Sequence, residues 1–422
     1  MVTGYGALLR VPGFARLYTG LLLGRVGGSM VTVSLVLFVL ARYHSPQLAG
    51  ATAFFSILPG LVVSPVAGAL LDRHGRTRLV VLDYSLAAIS VVLLAVLSTR
   101  SLLPWPALLT IVAFASLTNP LSNSGARSLF PIIAPPHLWE RANALDSSGH
   151  VVAQLVGAPV AGILIGVLGP EWALGSCGAL FGAAALVMLR LPEPKAASAT
   201  EGSIALNAWR GLQYVARHAT LRGLALTLAT FNLSWGILTI AVPVLVLDRL
   251  HQGPATVGFL WGAMGAAGLV SALIVGRMST RGRERQLMFG AILLSAAAMA
   301  LLPFANALPV VLVAIILFGA ANGPLDIGLF TLRQRRTDPA WFGRAFAVSM
   351  SVNWIGSPVG SAFAGPLISS SLNVALWTAV FFALVAAAFP LVAVPAQSDD
   401  GSFPGSSSRR PGRGSRAGRR SH

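Results

Sequence analysis

Apolar stretches long enough to cross a bilayer recur from one end of this chain to the other, and that recurrence decides its solvent. A helix rises ~1.5 Å per residue, so roughly 20 apolar residues traverse the ~30 Å hydrocarbon core. Twelve stretches qualify, at approximately 16–41, 50–71, 79–98, 102–125, 143–168, 172–190, 221–247, 255–278, 286–304, 308–331, 345–369 and 373–394. Met1 to Phe14 is mildly polar and the stretch after it is long enough to span, so no cleavable signal is expected. A transmembrane barrel is excluded, because its strands are short and alternate apolar with polar residues. Only 10% of the residues are charged, against about 25% in soluble domains. The expected fold class is an all-α, multi-pass membrane protein of twelve transmembrane helices, with the lipid bilayer as its main partner.

The formal net charge of +17 suggests nucleic acid in a soluble protein, but its distribution argues otherwise. With a cytoplasmic N-terminus and alternating spans, 26 of the 30 Lys and Arg fall in cytoplasmic segments. Arg42, Arg100 and Arg249 fall outside, and Arg25 lies within the first span. This is the positive-inside distribution. Both termini are expected on the cytoplasmic side, and no nucleic-acid partner is expected. Arginine makes up 29 of the 30 basic residues, which fits a GC-rich bacterial genome and a bacterial inner-membrane location. The single cysteine, Cys177, cannot form an internal disulfide and reads as a packing residue.

Two halves repeat. A long polar segment separates spans six and seven, which predicts halves at 1–191 and 221–396 joined by a cytoplasmic linker, 192–220. Within it Ile204, Leu206, Trp209, Leu212 and Val215 recur at near-helical spacing, the pattern of an amphipathic or linker helix. A shift of 203 residues aligns 119–165 with 322–368, matching Asn119 to Asn322, Pro136 to Pro339, Arg141 to Arg344 and Gly162 to Gly365. Residues 397–422 are rich in Ser, Gly and Arg without apolar periodicity and read as a disordered cytoplasmic tail.

After the second stretch the chain reads Gly68-Ala-Leu-Leu-Asp72-Arg73-His74-Gly75-Arg76, and a degraded copy, Gly276 to Arg283, follows the eighth. Such a loop places an acid, forked arginine donors and a turn-permitting glycine at one helix junction. The G-x-x-x-D-R-x-G-R pattern, in this position and with this duplication, resembles the cytoplasmic signature of the major facilitator superfamily. The resemblance implies two pseudo-symmetric six-helix bundles, the architecture of one large transporter class. It also implies a gating role for Gly68, Asp72, Arg73, Gly75 and Arg76. Arg127, Arg141 to Leu145, and Gly343 to Ala347 resemble the branch of bacterial macrolide-efflux and siderophore-export proteins. In span five Gly157, Pro159 and Gly162 are similar to the glycine-proline motif of drug/proton antiporters, although that motif is incomplete here.

Ionisable and polar groups within spans are costly and mark candidate sites. Arg25 lies near the midplane, where it either meets an anionic substrate group or holds a counter-ion between helices. Asp83 and Asp146 join Arg127, Arg141 and Arg344 as a candidate gating network. Asp326, placed one or two turns from the cytoplasmic end of its span, and His150 are the candidates for proton coupling. Asn119, Asn123, Asn232, Trp235, Asn322 and Asp326 join Arg25 as candidate substrate contacts, since the superfamily lines its cavity with spans one, four, seven and ten. Asn353 and Trp354 share this polar and aromatic character.

A cavity of aromatic rings and a few amides suits a bulky amphiphile better than a sugar. The expectation is therefore a secondary exporter of a small hydrophobic or amphiphilic compound (a drug, antibiotic or siderophore-like metabolite), coupled to protons and working as a monomer. An uptake symporter or uniporter of the same fold, and a non-transporting receptor, stay open. No clustered His/Asp/Glu or Ser/Lys/His constellation points to an enzyme, and no cofactor or metal is expected. No G-x-x-x-x-G-K-[ST] phosphate loop occurs, and Lys195 in the linker is the only lysine.

Overall fold

In a medium without water the backbone must satisfy its own hydrogen bonds, and for these apolar stretches the helix is the available solution. The computed structural model describes residues 5–191, 212–278, 280–337 and 342–396. After a short helix at Tyr5–Leu9, twelve long helices follow among the described residues. The first six are α1 (Phe14–Tyr43), α2 (Pro46–His74), α3 (Arg76–Thr99), α4 (Trp105–Ile133), α5 (Trp139–Leu168) and α6 (Pro170–Leu189). The second six are α7 (Ala219–Val244), α8 (Pro254–Val275), α9 (Glu284–Met299), α10 (Leu308–Arg336), α11 (Phe342–Ser370) and α12 (Leu372–Val392). Ten of them are long and apolar enough to cross a membrane. The other two, α4 and α11, are 29 residues each and are interrupted by Pro, Asn and Ser.

Local chemistry sets the helix ends. Pro46, Pro170 and Pro254 open α2, α6 and α8, where a missing N–H costs nothing. The Ser45 hydroxyl caps α2 by accepting from the Leu48 N–H. Gly75, with φ 97°, is the one residue between α2 and α3, and its left-handed backbone makes that reversal possible. Helices run past the apolar stretches because polar ends continue the ladder. The clearest case is α10, which extends to Arg336 with Arg333, Arg335 and Arg336 in its last turn, where the helix dipole favours cations. Asp326 consequently lies ten residues from that end, close to three turns rather than the one or two expected.

Packing repeats between the two sets of six. In the first, α1 packs on α5 and α6, and α3 and α2 pack on α4, with α3 also on α6. The same five pairings recur six helices later, α7 with α11 and α12, α8 and α9 with α10, and α9 with α12. The bounds of α4 and α10 differ by 203 residues at both ends, the register of the internal repeat. Between the sets the main pairings are α2 with α11 and α5 with α8, again symmetric. The perimeter exposes residues that a water-soluble fold would bury, among them Trp172, Leu186, Phe259, Phe363 and Val392. In the linker, residues 212–217 are helical, and Tyr214 and Val215 are buried beside Leu221. The rest of the expected linker helix and the 397–422 tail lie outside the described residues.

Candidate functional site

The centre of the first six-helix set is polar and internally paired. The Arg25 guanidinium on α1 reaches across to α5, donating to the Asp146 carboxylate and, at 2.7 Å, to the Asp146 carbonyl. Both side chains are only 15% exposed, and a charge so placed needs its partner. Of the two roles open to Arg25 in the sequence, the structure displays the inter-helix pair. Gly149, one turn from Asp146, lies against the guanidinium and the Tyr18 ring. His150 and Gln154 follow on α5 as exposed neighbours, 3.1 Å apart. Asp83 on α3 is buried, with the Ser122 and Thr118 hydroxyls of α4 beside it. Asn123 donates to Asn119 one turn earlier on α4, and both amides are exposed.

The centre of the second set is aromatic. Trp235 on α7 stacks on Phe318 of α10 at 5.7 Å and meets Trp261 of α8 edge-on at 5.3 Å. Phe231, one turn before Trp235, stacks on the same Phe318 at 6.1 Å. The Asn232 amide donates to the Asn353 carbonyl of α11 at 2.7 Å. Trp354, next along α11, is 47% exposed.

Helical spacing of about 100° per residue places Asn322 and Asp326 in one sector of α10. Phe318 marks the side facing α7, Gly319 and Gly323 abut α8, and Gly328 abuts α9. Asn322 and Asp326 fall between the α7 and α8 directions, away from outward-facing Val313. Asp326 is accessible there, and among the described residues no ion-pair or hydrogen-bond partner meets it. The accessible side of Asp326 is therefore the side on which α7 and α8 pack, not the lipid-facing perimeter.

The charged loops lie at one end of the bundle. Arg73 is exposed, and Arg76 donates to the Ser128 carbonyl of α4 at 3.3 Å. Arg141 donates to the His137 carbonyl one turn earlier, so Asp146 pairs with Arg25 and not with it. Gly68 lies within the last two turns of α2, and the side chains of Asp72, Arg127 and Arg344 lie outside the described residues. At the corresponding end of the second set, Glu284 at the start of α9 is buried and paired with Arg335 at the end of α10.

At the opposite end, glycines join the two sets. A Cβ on Gly258 of α8 would fall on the Ala158 carbonyl of α5, and one on Gly50 of α2 would fall on the Ser361 carbonyl of α11. Ala158 and Ser361 are 203 residues apart, so the two seams are copies. Gly162 lies on Pro254 and Ala255, and Gly365 lies on Pro46 and Gln47, completing each seam. Gln47 also donates to the Ser369 hydroxyl across the junction. Within the span-five motif, Pro159 packs on Gly262 of α8, while Gly157 packs on Ser29 and Met30 of α1. Close backbone approach through small residues is the usual way to bring helices together in lipid.

Several of these groups escaped sequence reasoning. Trp261 and Phe318 looked like ordinary apolar residues, and Gly50 and Gly258 belong to no recognised motif. Arg333 counted only as a positive-inside charge, yet it is 1% exposed between α10 and α11, beside Met350 and over the Phe330 ring. Its signal was faint: it stands two residues before the Arg335-Arg336 pair, in the same last turn of α10. Among the described residues no group of three or more His, Cys, Asp and Glu is placed to hold a metal.

Comparison with known proteins agrees with this architecture. The chain is 37% identical over 396 residues to the MFS-type transporter y4rN of Sinorhizobium fredii, covering 93% of this chain and 97% of that one. It is 25% identical over 414 residues to the multidrug efflux pump Tap of Mycobacterium tuberculosis, covering 92% and 94%. It is 24% identical over 388 residues to the enterobactin exporter EntS of Shigella boydii, covering 89% of each. The fold matches the crystal structure of the nucleoside transporter NupG with a TM-score of 0.71 at 14% identity, covering 89% of this chain and 97% of that one. The relatives thus include the multidrug-efflux and siderophore-export lines that the loop motifs resemble. The family model of the Major Facilitator Superfamily matches residues 17–361 and 224–412, and the chain belongs to that superfamily of multi-span membrane transporters.

Proposed function

We propose that this protein exports a small hydrophobic or amphiphilic compound by alternating access, in exchange for protons. One observation carries the reading. Two copies of one six-helix packing are sutured by glycine seams at one end, while polar groups at the centre stay accessible. On the arginine distribution, all twelve helices span a bacterial inner membrane, both termini are cytoplasmic, and the sutured end is the outer one. The accessible centre then belongs to a state open to the cytoplasm, from which an exporter loads.

The halves are 1–191 and 221–396, joined by 192–220 and followed by the 397–422 tail, and one chain suffices for the cycle. Arg25 with Asp146, Asn119, Asn123, Asn232, Trp235, Asn322 and Asp326 form the central site. Asp326 and His150 are the accessible titratable groups there and carry the exchanged proton. Gly68, Asp72, Arg73, Gly75 and Arg76 govern the cytoplasmic gate, together with Arg127, Arg141 and Arg344 of the later cytoplasmic segments. Export rather than uptake is supported by the likeness to Tap and EntS, both named as exporters.

Everted membrane vesicles test this reading. Energised vesicles carrying the protein should accumulate the neutral dye Nile red, and nigericin, which collapses the pH gradient, should abolish the accumulation. Accumulation indifferent to nigericin sinks proton exchange. Uptake confined to right-side-out vesicles makes the chain an importer.

A further inference from the structure

Charge at the centre is unevenly compensated. Arg25 is occupied by Asp146, so an anionic substrate must break a largely buried pair before it finds a cation. Asp83 is buried among hydroxyls, and Glu284 is paired with Arg335. Asp326 is the described acid that is both within the centre and open to an arriving ligand. Arg333 lies seven residues further along α10, but it is buried and turned to Met350 and Asn353 of α11.

The neighbourhood of Asp326 supplies the rest of a site. Phe318 precedes it by eight residues, roughly 12 Å along the helix, with Asn322 between them. Phe318 belongs to the aromatic wall with Trp235, Trp261 and Phe231. Ring faces attract both apolar bodies and cations. A carboxylate at one end of such a wall adds its coulombic attraction for a positive centre to that of the ring faces, and repels an anion.

Building on the export reading, we infer that the preferred cargo among the amphiphiles carried is a lipophilic cation, its positive centre at Asp326 and its ring system against Trp235 and Phe318. The site discriminates by charge sign as well as by bulk.

Tetraphenylphosphonium and tetraphenylborate have nearly the same shape and opposite charge, so they separate these contributions. Equilibrium dialysis against the purified full-length chain in detergent should show the phosphonium binding at least about tenfold more tightly than the borate. Asp326→Asn should weaken phosphonium binding about tenfold and leave borate binding no weaker, while Trp235→Ala should weaken both ions alike. Asp326→Glu should keep the preference. Tighter borate binding by the unaltered protein overturns the inference, and so does an Asp326→Asn variant that binds phosphonium unchanged. The unaltered protein decides the matter even if a variant fails to fold. Vesicles that accumulate Nile red while the phosphonium preference is absent remove only the cation assignment. Vesicles that accumulate no amphiphile remove export, whatever the binding shows.

Discussion

The two six-helix sets pack their helices in the same order and fill their centres in opposite ways. In the first, a guanidinium and a carboxylate from α1 and α5 satisfy each other, and an imidazole and an amide follow on α5. In the second, four aromatic rings from α7, α8 and α10 form a wall, and the nearby acid meets no described partner. The shared elements are those that hold helices to each other: the pairing order, the 203-residue register and the glycine seams. The divergent elements face the centre. A duplicated scaffold has kept its assembly chemistry and changed its interior, which is where a transported molecule would be read.

The contrast predicts unequal dependence on charge. Arg25→Ala leaves the Asp146 carboxylate largely buried and alone, and should cost about 3 kcal/mol of stability, read as unfolding in detergent micelles. The double variant Arg25→Ala/Asp146→Ala should recover most of that loss, because no unpaired ion remains. A single-variant loss below about 1 kcal/mol would mean that this pair does not organise the first set, and the comparison would lose its first term.

The seams test what the halves share. Gly258→Leu and Gly50→Leu each force a side chain onto a carbonyl of the opposing set, an overpacking cost of about 1–3 kcal/mol. The cost is relieved when that end opens, so both variants should shift the molecule toward the other access state. Cysteine introduced at Ser361, which is 1% exposed, or at Ala158 reports the opening through a maleimide reagent, with Cys177 replaced by Ala. Labelling should rise about tenfold in each variant for the seam it disrupts. A rise in one seam alone would show that the copies have diverged at the junction too.

Much of the scaffold is legible in the amino-acid order, because length and apolarity alone identify a bilayer-spanning helix. The repeat is visible because Asn119, Pro136 and Arg141 recur in one register with Asn322, Pro339 and Arg344. The site is harder to read. Arg25 and Asp146 are 121 residues apart, and their meeting depends on helix rotations that no local pattern encodes. Trp261 and Phe318 resemble lipid-facing residues until the neighbouring helices are placed. Gly50 and Gly258 hide from the repeat because they are 208 residues apart and not 203, the loops between the spans differing in length. Asp326 is visible as an acid, but its distance from the helix end is not, since α10 continues through its terminal arginines.

Asp326 supplies the smallest expected effect and the sharpest contrast with Asp146. A carboxylate with a structural partner loses that partner's interaction when neutralised, whereas one without a partner loses only a solvation cost. Asp326→Asn should therefore change stability by no more than about 0.5 kcal/mol, with stabilisation the preferred direction. Asp146→Asn, by comparison, removes the charge that holds Arg25 and should destabilise by about 2 kcal/mol or more. The same unfolding measurement on both variants gives the comparison directly. If Asp326→Asn were to destabilise as strongly as Asp146→Asn, the acid would be a structural counter-ion, and the second centre would be as compensated as the first. A near-zero effect there, combined with altered ligand binding, separates a group kept for the substrate from one kept for the fold.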